Sequence, residues 1–166
     1  MKFLLLLFVI LPLFNVKITN ETLDYYIFPT DYISISSNYG YRTLYNGYNF
    51  HNGIDFFAPF GSKVYSTKDG YVEFASFSNQ GYGNTIVIDH GNFVKSLYSH
   101  LSENFIVNIG DFVRQGEIIG YVGPKFLSSG ILNGNTTGPH LHFSIFINNS
   151  TVDPLSLNLI QKKNNL

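Results

Sequence analysis

The sequence predicts an all-β domain, mainly antiparallel, and three features of the chain favour this fold class. Residues 37–150 consist of short apolar runs separated by glycine or proline. No window of ten or more residues there repeats apolar side chains at i, i+3, i+4 and i+7, as an amphipathic helix requires. The sequence Asp89-His90-Gly91-Asn92 lies between two apolar runs, and its glycine and asparagine accept the positive φ angles of a tight hairpin turn.

The composition indicates one folded domain. The chain has 166 residues, of which 45% are hydrophobic and only 13% charged, and such a chain has enough apolar surface to form a core. Ten Lys+Arg against 11 Asp+Glu give a net charge of −1, with no basic run that would bind a nucleic-acid backbone. No nucleic-acid partner is therefore expected.

Residues 1–20 are predicted to be a signal peptide or an N-terminal anchor. Residues 3–14 are uncharged and apolar, which suits the hydrophobic region of a signal peptide but is short for a membrane-spanning helix. No pair of small residues marks a cleavage site, so an uncleaved membrane tether through residues 3–14 stays open. Either alternative predicts export, to the cell envelope or the medium.

The following elements are predicted in chain order. Residues 21–39, with Pro29, are expected to form a linker or an edge segment. Turns at Gly110-Asp111 and Gln115-Gly116 indicate a β-meander, and residues 156–166 form a polar tail that is expected to fray. The runs predicted as strands are GIDFFAP, KVYSTKDG, YVEFASFSNQGYG, NTIVIDHGN, FVKSLYSHL, FIVNIGD, EIIGYVG and HLHFSIFIN.

Histidine and carboxylate are the residue types left for a metal site, because the chain has no cysteine. His51 and Asp55 are separated by four residues with Gly53 between them. In an extended segment, residues four apart lie on the same face, so these two side chains can reach one centre. Taken alone, such a pair is more often an ordinary surface pair.

A second cluster, Gly138-Pro139-His140-Leu141-His142, begins an alternating strand. Leu141 shares one face with the later apolar residues, so His140 and His142 share the other. One of these imidazoles can ligate a metal while the other acts on a bound water. The alternative is the exposed polar face of a half-buried strand.

The remaining histidines are His100 and His90. His100 ends a strand on which Tyr98 is expected to point to the same side, although spacing alone does not select His100 for catalysis. His90 lies in the hairpin turn, where a structural hydrogen bond is the preferred interpretation.

Together, the motifs HNGIDFFAPFGSKVYSTKDGYV, IVIDHGN, LYSHLS, VNIGDFVRQGEIIGYVG, TTGPHLHFSI and VDPL resemble the LytM/lysostaphin-type zinc metallopeptidases, peptidase family M23. The resemblance covers residues 40–155 and includes the opening Tyr41-Arg42. It implies a compact, sandwich-like β domain with a groove that holds one Zn²⁺ per chain. By the same resemblance, zinc is ligated by His51, Asp55 and His142, with His100 and His140 as catalytic residues.

The resemblance further implies an exported zinc metalloendopeptidase that hydrolyses peptide bonds in bacterial peptidoglycan, in cross-links or stems. A zinc-bound water would be the nucleophile, and either His100 or His140 would take its proton. Tyr98 and Asn52 are assigned as candidate substrate contacts, residues 124–137 as a long loop at the groove, and the protein as a monomer. The alternatives are a catalytically silent LytM-like module that binds or activates another wall hydrolase, and a structural zinc site, which usually has four protein ligands.

Overall fold

The structure is a computed structural model that describes residues 25–44 and 47–162. The predicted signal peptide or anchor at residues 1–20 lies outside the described residues. The predicted fold class is confirmed, because strands and one short 3-10 turn at Pro154–Ser156 are the regular elements of the described chain. The strands are β1 Tyr26–Ile27, β2 Ile35–Ser37, β3 Gly40–Leu44, β4 Gly47–His51, β5 Ile54–Phe56, β6 Lys63–Tyr65, β7 Gly70–Ser78, β8 Gly83–Asp89, β9 Val94–Ser99, β10 Phe112–Val113, β11 Ile118–Tyr121, β12 Leu141–Ile147, β13 Ser150–Val152 and β14 Leu159–Ile160.

The main sheet has eight strands and is antiparallel throughout. Its order is β10-β7-β8-β9-β12-β5-β2, and β13 also pairs with β12. Strand β12 pairs with β9 along one edge, and with β5 and then β13 along the other. The small hairpin of β3 and β4 stands beside this sheet and leads directly into β5.

The two faces of the main sheet have different roles because side chains alternate along each strand. Leu141, Phe143 and Ile145 of β12 are fully buried in the hydrophobic core. The intervening His142 and Ser144 point to the opposite face, where their side chains hydrogen-bond to each other. The predicted division of β12 into an apolar face and a histidine face is therefore confirmed.

The described parts of the two flanking segments belong to the folded unit. Strand β1 pairs in parallel with β14, and the side chains of Tyr26 and Ile27 are buried. Strand β2 pairs with β5 at one end of the main sheet. Residues 159–160 thus lie in a strand where the sequence predicts a fraying tail, because the pairing with β1 satisfies their backbone groups.

The hairpin predicted at residues 89–92 joins β8 to β9, which pair in antiparallel register. Asn92 and Phe93 adopt φ angles of 51° and 61° in this turn. His90 donates from Nδ1 to the carbonyl of Asp69 at 2.8 Å, and its Nε2 lies 2.7 Å from Ser96 Oγ. These contacts connect the turn to neighbouring parts of the sheet, as the structural interpretation of His90 predicts.

Within residues 25–44 and 47–162, the structure has no helix of the length and apolar character needed to cross a membrane.

Candidate active site

Three side chains converge on one point of the polar sheet face. His51 lies at the end of β4, and Asp55 and His142 face each other across β5 and β12. His51 Nε2, Asp55 Oδ1 and His142 Nδ1 lie 2.9 to 3.1 Å from one another. The sheet register therefore brings together the three predicted metal ligands, which are separated by up to 91 positions in the chain.

Gly53 makes this convergence possible. A Cβ atom at position 53 would lie 2.4 Å from the carbonyl oxygen of Phe143 and 2.8 Å from Cε1 of His142. Contacts this short do not occur for real Cβ atoms, so a larger residue would push the His51–Asp55 segment away from β12. The glycine within the H-x-x-x-D motif thus has a packing role.

Each of the three candidate ligands is oriented by a further group. His51 donates from Nδ1 to the carbonyl of Asn38 at 2.8 Å, which leaves Nε2 free to bind a metal. His142 Nε2 lies 2.9 Å from Ser144 Oγ, and Asp55 Oδ2 accepts from Arg42 Nη1 at 3.4 Å. Such outer contacts select the tautomer and the ring orientation of ligands in metal sites. Sequence reasoning assigned no role to Asn38 or Ser144, although alternation places Ser144 beside His142.

Burial and hydrogen bonding keep the ligands in the protonation states that a metal requires. Burial lowers the pKa of His142, more than its contacts with Asp55 raise it, so the neutral imidazole is favoured. Burial by itself would raise the pKa of Asp55, but its close polar contacts with His142 and His51 bring it well below its ordinary range. Asp55 is therefore ionised, as a carboxylate ligand must be.

The donor set fits Zn²⁺. Two imidazole nitrogens and one carboxylate oxygen form a typical catalytic zinc set, which leaves a fourth position open. In tetrahedral coordination with bonds of 2.0–2.1 Å, ligand atoms lie roughly 3.3 Å apart, close to the separations of these three atoms. Among the described residues, this is the group of histidine and carboxylate side chains that could hold a metal ion.

His100 and His140 lie side by side next to this cluster, with ring centroids 4.6 Å apart. His100 donates from Nδ1 to the carbonyl of Asn133 at 2.7 Å, and His140 donates from Nδ1 to the carbonyl of Gly138 at 2.9 Å. A carbonyl can only accept, so each neutral ring carries its proton on Nδ1 and a lone pair on Nε2. His140 Nε2 lies 3.7 Å from Asp55 Oδ1, and so faces the metal cluster.

The two histidines differ in their surroundings. His100 is buried, and this burial together with neighbouring His140 lowers the pKa of His100 to about 3. The side chain of His140 is 16% exposed and lines the groove described below. Both are placed to accept a proton at Nε2, and His140 has the more direct access to a bound substrate.

Tyr98 does not lie with His100, and the prediction that their side chains point together is wrong. His100 has a φ of 59°, which breaks the alternation at the end of β9. Tyr98 is fully buried against Phe143 in the core, and its hydroxyl accepts from the backbone N–H of Thr67 at 2.8 Å. A side chain in this position cannot contact a substrate, so the assignment of Tyr98 as a substrate contact is also wrong.

Asn52 lies at the edge of the cluster, between the candidate ligands His51 and Asp55. Its side-chain amide donates to the hydroxyl of Tyr82, whose ring centroid is 5.6 Å from that of His142. Sequence reasoning assigned no role to Tyr82. The contact places Asn52 and Tyr82 beside the metal ligands, while a substrate contact through Asn52 stays a prediction.

A groove of about 740 Å³ opens beside the cluster, and Asp55 and His140 are among the residues that line it. Exposed Phe57 and Phe60 stand along one side of this groove. Asn135, from the long loop of residues 124–137, lines it as well. The loop thus borders the groove, in the position the sequence predicts.

Asn133 anchors this loop below the site. It is fully buried, and its Oδ1 accepts from the backbone N–H of Asn84 at 2.8 Å. Its Nδ2 donates to the carbonyls of Leu101 and Pro124 at 2.9 and 3.2 Å. The same residue supplies the carbonyl that binds His100. Sequence reasoning missed Asn133, because an asparagine in a loop rich in glycine and asparagine gives no sign of burial.

Comparisons with known proteins agree with this arrangement. The sequence model of peptidase family M23 matches residues 49–154. The chain is 40% identical over 145 residues to the DD-carboxypeptidase/endopeptidase Mpg of Neisseria meningitidis, covering 86% of this chain and 31% of that protein. It is 35% identical over 136 residues to the peptidoglycan DD-endopeptidase ShyC of Vibrio cholerae, covering 80% and 29%. The chain thus spans less than a third of the length of these relatives.

Solved structures give the same result for the fold. The catalytic domain of lysostaphin from Staphylococcus simulans superposes with a TM-score of 0.63 at 33% identity, covering 74% of this chain and 90% of that domain. A zinc-containing peptidase from Vibrio cholerae superposes with a TM-score of 0.66 at 33% identity, covering 82% and 41%. On the matched sequence, the fold and the histidine and aspartate cluster, the chain belongs to peptidase family M23.

Proposed function

We propose that this protein is an exported zinc metalloendopeptidase that hydrolyses peptide bonds in bacterial peptidoglycan, in stems or cross-links. One observation carries the proposal: three zinc-compatible ligand atoms lie within 3.1 Å of one another beside two histidines with lone pairs on Nε2. Relatives named as DD-carboxypeptidase/endopeptidase and peptidoglycan DD-endopeptidase support this substrate class. The proposal includes one Zn²⁺ per chain and a monomer in the cell envelope, the periplasm or the medium.

His51, Asp55 and His142 would hold the zinc ion, which when bound supplies Lewis acidity and lowers the pKa of a coordinated water toward about 7. The chain's own contribution to the chemistry comes from the neighbouring pair. One of His100 and His140 would accept the proton of the attacking water at Nε2 and then donate that proton from Nε2 to the leaving amine. The other would stabilise the oxyanion in the state in which its own Nε2 carries a proton. The carbonyls of Asn133 and Gly138 orient the two rings, because each accepts a hydrogen bond from Nδ1.

The decisive experiment is mass spectrometry of peptides released from several types of peptidoglycan by the purified full chain. The assay is run on the protein as isolated, after removal of metal by a chelator, and after zinc is restored. We expect release of peptides with a defined new amine, lost on chelation and recovered with zinc. A chain that binds zinc and is folded, but releases nothing from any wall, would contradict the proposal.

The second candidate is a catalytically silent module that binds or activates another wall hydrolase. The presence of all five site residues argues against it, because a silent module does not need a complete set of ligands and proton acceptors. The presence of three protein ligands likewise disfavours a structural zinc site, which usually has four. The measurement of peptides released from peptidoglycan, here called the wall-release assay, distinguishes these alternatives, since only an enzyme produces new amines in a zinc-dependent way.

A further inference from the structure

The guanidinium of Arg42 contacts the candidate metal cluster on one side and lines the groove on the other. Its Nη1 donates to Ser37 Oγ and to Asp55 Oδ2, the latter at 3.4 Å, and its Nε donates to Asn49 Oδ1 at 3.3 Å. A guanidinium has five N–H groups, and these three contacts use those on Nε and Nη1. The two N–H groups on Nη2 have no partner among the described residues.

Nη2 is the part of the side chain that is available to a ligand. The side chain of Arg42 is 29% exposed, and Arg42 lines the 740 Å³ groove beside Asp55 and His140. In the part of the chain that the structure describes, Arg42 is the only lysine or arginine that lines this groove. Asp55 is the only acidic residue there, and its Oδ1 faces the candidate metal ligands.

We propose that Arg42 forms an anion-binding subsite of the groove, in which Nη2 binds a carboxylate of the peptide substrate. Guanidinium groups bind carboxylates through strong, directional, charge-assisted hydrogen bonds. The contact with Asp55 holds Arg42 in place through Nη1 and leaves Nη2 for the substrate. Arg42 is thereby a specificity residue as well as a support for a metal ligand.

The position of Arg42 indicates where the substrate carboxylate lies. Arg42 contacts Oδ2 of Asp55, and Oδ1 of the same carboxylate is one of the three candidate ligand atoms. The carboxylate of Asp55 therefore lies directly between the guanidinium and the candidate metal position. In a peptide whose leaving amine and carboxylate are on the same carbon, that carboxylate lies within one residue of the scissile carbonyl. Neighbouring Cα atoms are about 3.8 Å apart, so the carboxylate lies close to the reaction centre. The subsite therefore favours peptides with a free α-carboxylate on the leaving amine.

This inference rests on the proposed peptidase function, and its test distinguishes a failure of the inference from a failure of that function. Peptidoglycan sacculi are digested by the zinc-loaded full chain before and after their carboxylates are converted to amides with carbodiimide and ammonia. We expect the initial rate to fall about tenfold or more on amidation, because a charge-assisted hydrogen bond is lost. Equal rates on both substrates would overturn the inference and leave the peptidase function standing, whereas no release from untreated sacculi would overturn the peptidase function.

Variants show whether Arg42 causes the preference. In R42Q we expect the rates on untreated and amidated sacculi to differ by no more than about twofold. R42K keeps a cation and should retain part of the preference for untreated sacculi. The matched control is R114Q, which changes the other arginine of the chain, an exposed residue outside the groove lining. The ratio of the two rates is compared between proteins of equal zinc content. If R42Q loses zinc because Asp55 is no longer held by the guanidinium, the comparison uses R42K instead. A full preference for free carboxylates in the zinc-loaded variants would overturn the assignment.

Discussion

The two halves of the candidate site are held in place by different kinds of structure. Asp55 and His142 face each other on paired strands, so the register of the main sheet sets their separation. His100 and His140 lie just outside β9 and β12, and their rings are oriented by carbonyls of Asn133 and Gly138. The first half depends on regular β-structure, and the second depends on the loop segment that leads into β12.

This difference indicates which part of the site can vary without loss of the other. Sheet register is strongly specified, because a shift of one residue would turn the buried face of β12 toward the groove. A loop tolerates changes in length and sequence more readily. The structure thus separates the candidate metal ligands, positioned by the sheet, from the candidate proton-transfer groups, oriented by residues 133–140. Variants in each half should have distinct effects.

The largest effect is expected for H142A, which removes one of three protein ligands from the sheet half. With two ligands left, the site no longer matches a catalytic zinc set, so zinc content and peptide release should both fall to background. Metal analysis after dialysis and the wall-release assay measure the two quantities. The control is H90A, a histidine outside the metal cluster, which should retain zinc. Full zinc occupancy in H142A would contradict the ligand assignment.

In the loop-held half, H140A should keep zinc and lose hydrolysis. Removal of a positioned proton-transfer group typically costs 10²–10⁴-fold in rate, and we expect a fall in kcat of about that size. H100A should behave in the same way, and comparison of the two variants shows which histidine contributes more. Loss of zinc from H140A would mean that this residue is a ligand, and the division of the site into two halves would then be wrong.

A smaller effect is expected for N133A, which alters the support of His100 without touching the site chemistry. The loss of three side-chain hydrogen bonds, two of them buried, should lower the free energy of unfolding by about 2–4 kcal/mol. Misplacement of His100 should lower kcat roughly 10- to 100-fold, with zinc content unchanged. The matched control is N135A, an exposed asparagine of the same loop, for which we expect little change in stability. Equal destabilisation in both variants would contradict the anchoring role.

The sheet half could be predicted from the sequence, and the loop half only in part. Alternation along β12 was sufficient to place His142 opposite the apolar face, because strand periodicity follows directly from backbone geometry. The orientation of His100 depends on a φ of 59°, which no local pattern indicates, and this angle separates His100 from Tyr98. The role of Asn133 depends on contacts with residues up to 49 positions away, so it emerges only from the tertiary structure.

The smallest effect on activity is expected for Y98F, which tests the opposite placement of Tyr98 and His100. Removal of the hydroxyl leaves the buried N–H of Thr67 without its acceptor, and the free energy of unfolding should fall by about 1–3 kcal/mol. Because Tyr98 packs against Phe143 on the core face, kcat/KM on peptidoglycan should stay within about twofold of the wild-type value at a temperature where both proteins are folded. Thermal unfolding and the wall-release assay measure the two effects. A large fall in kcat/KM with unchanged stability would return Tyr98 to the substrate site, and would mean that the break in alternation at His100 does not separate the core from the groove.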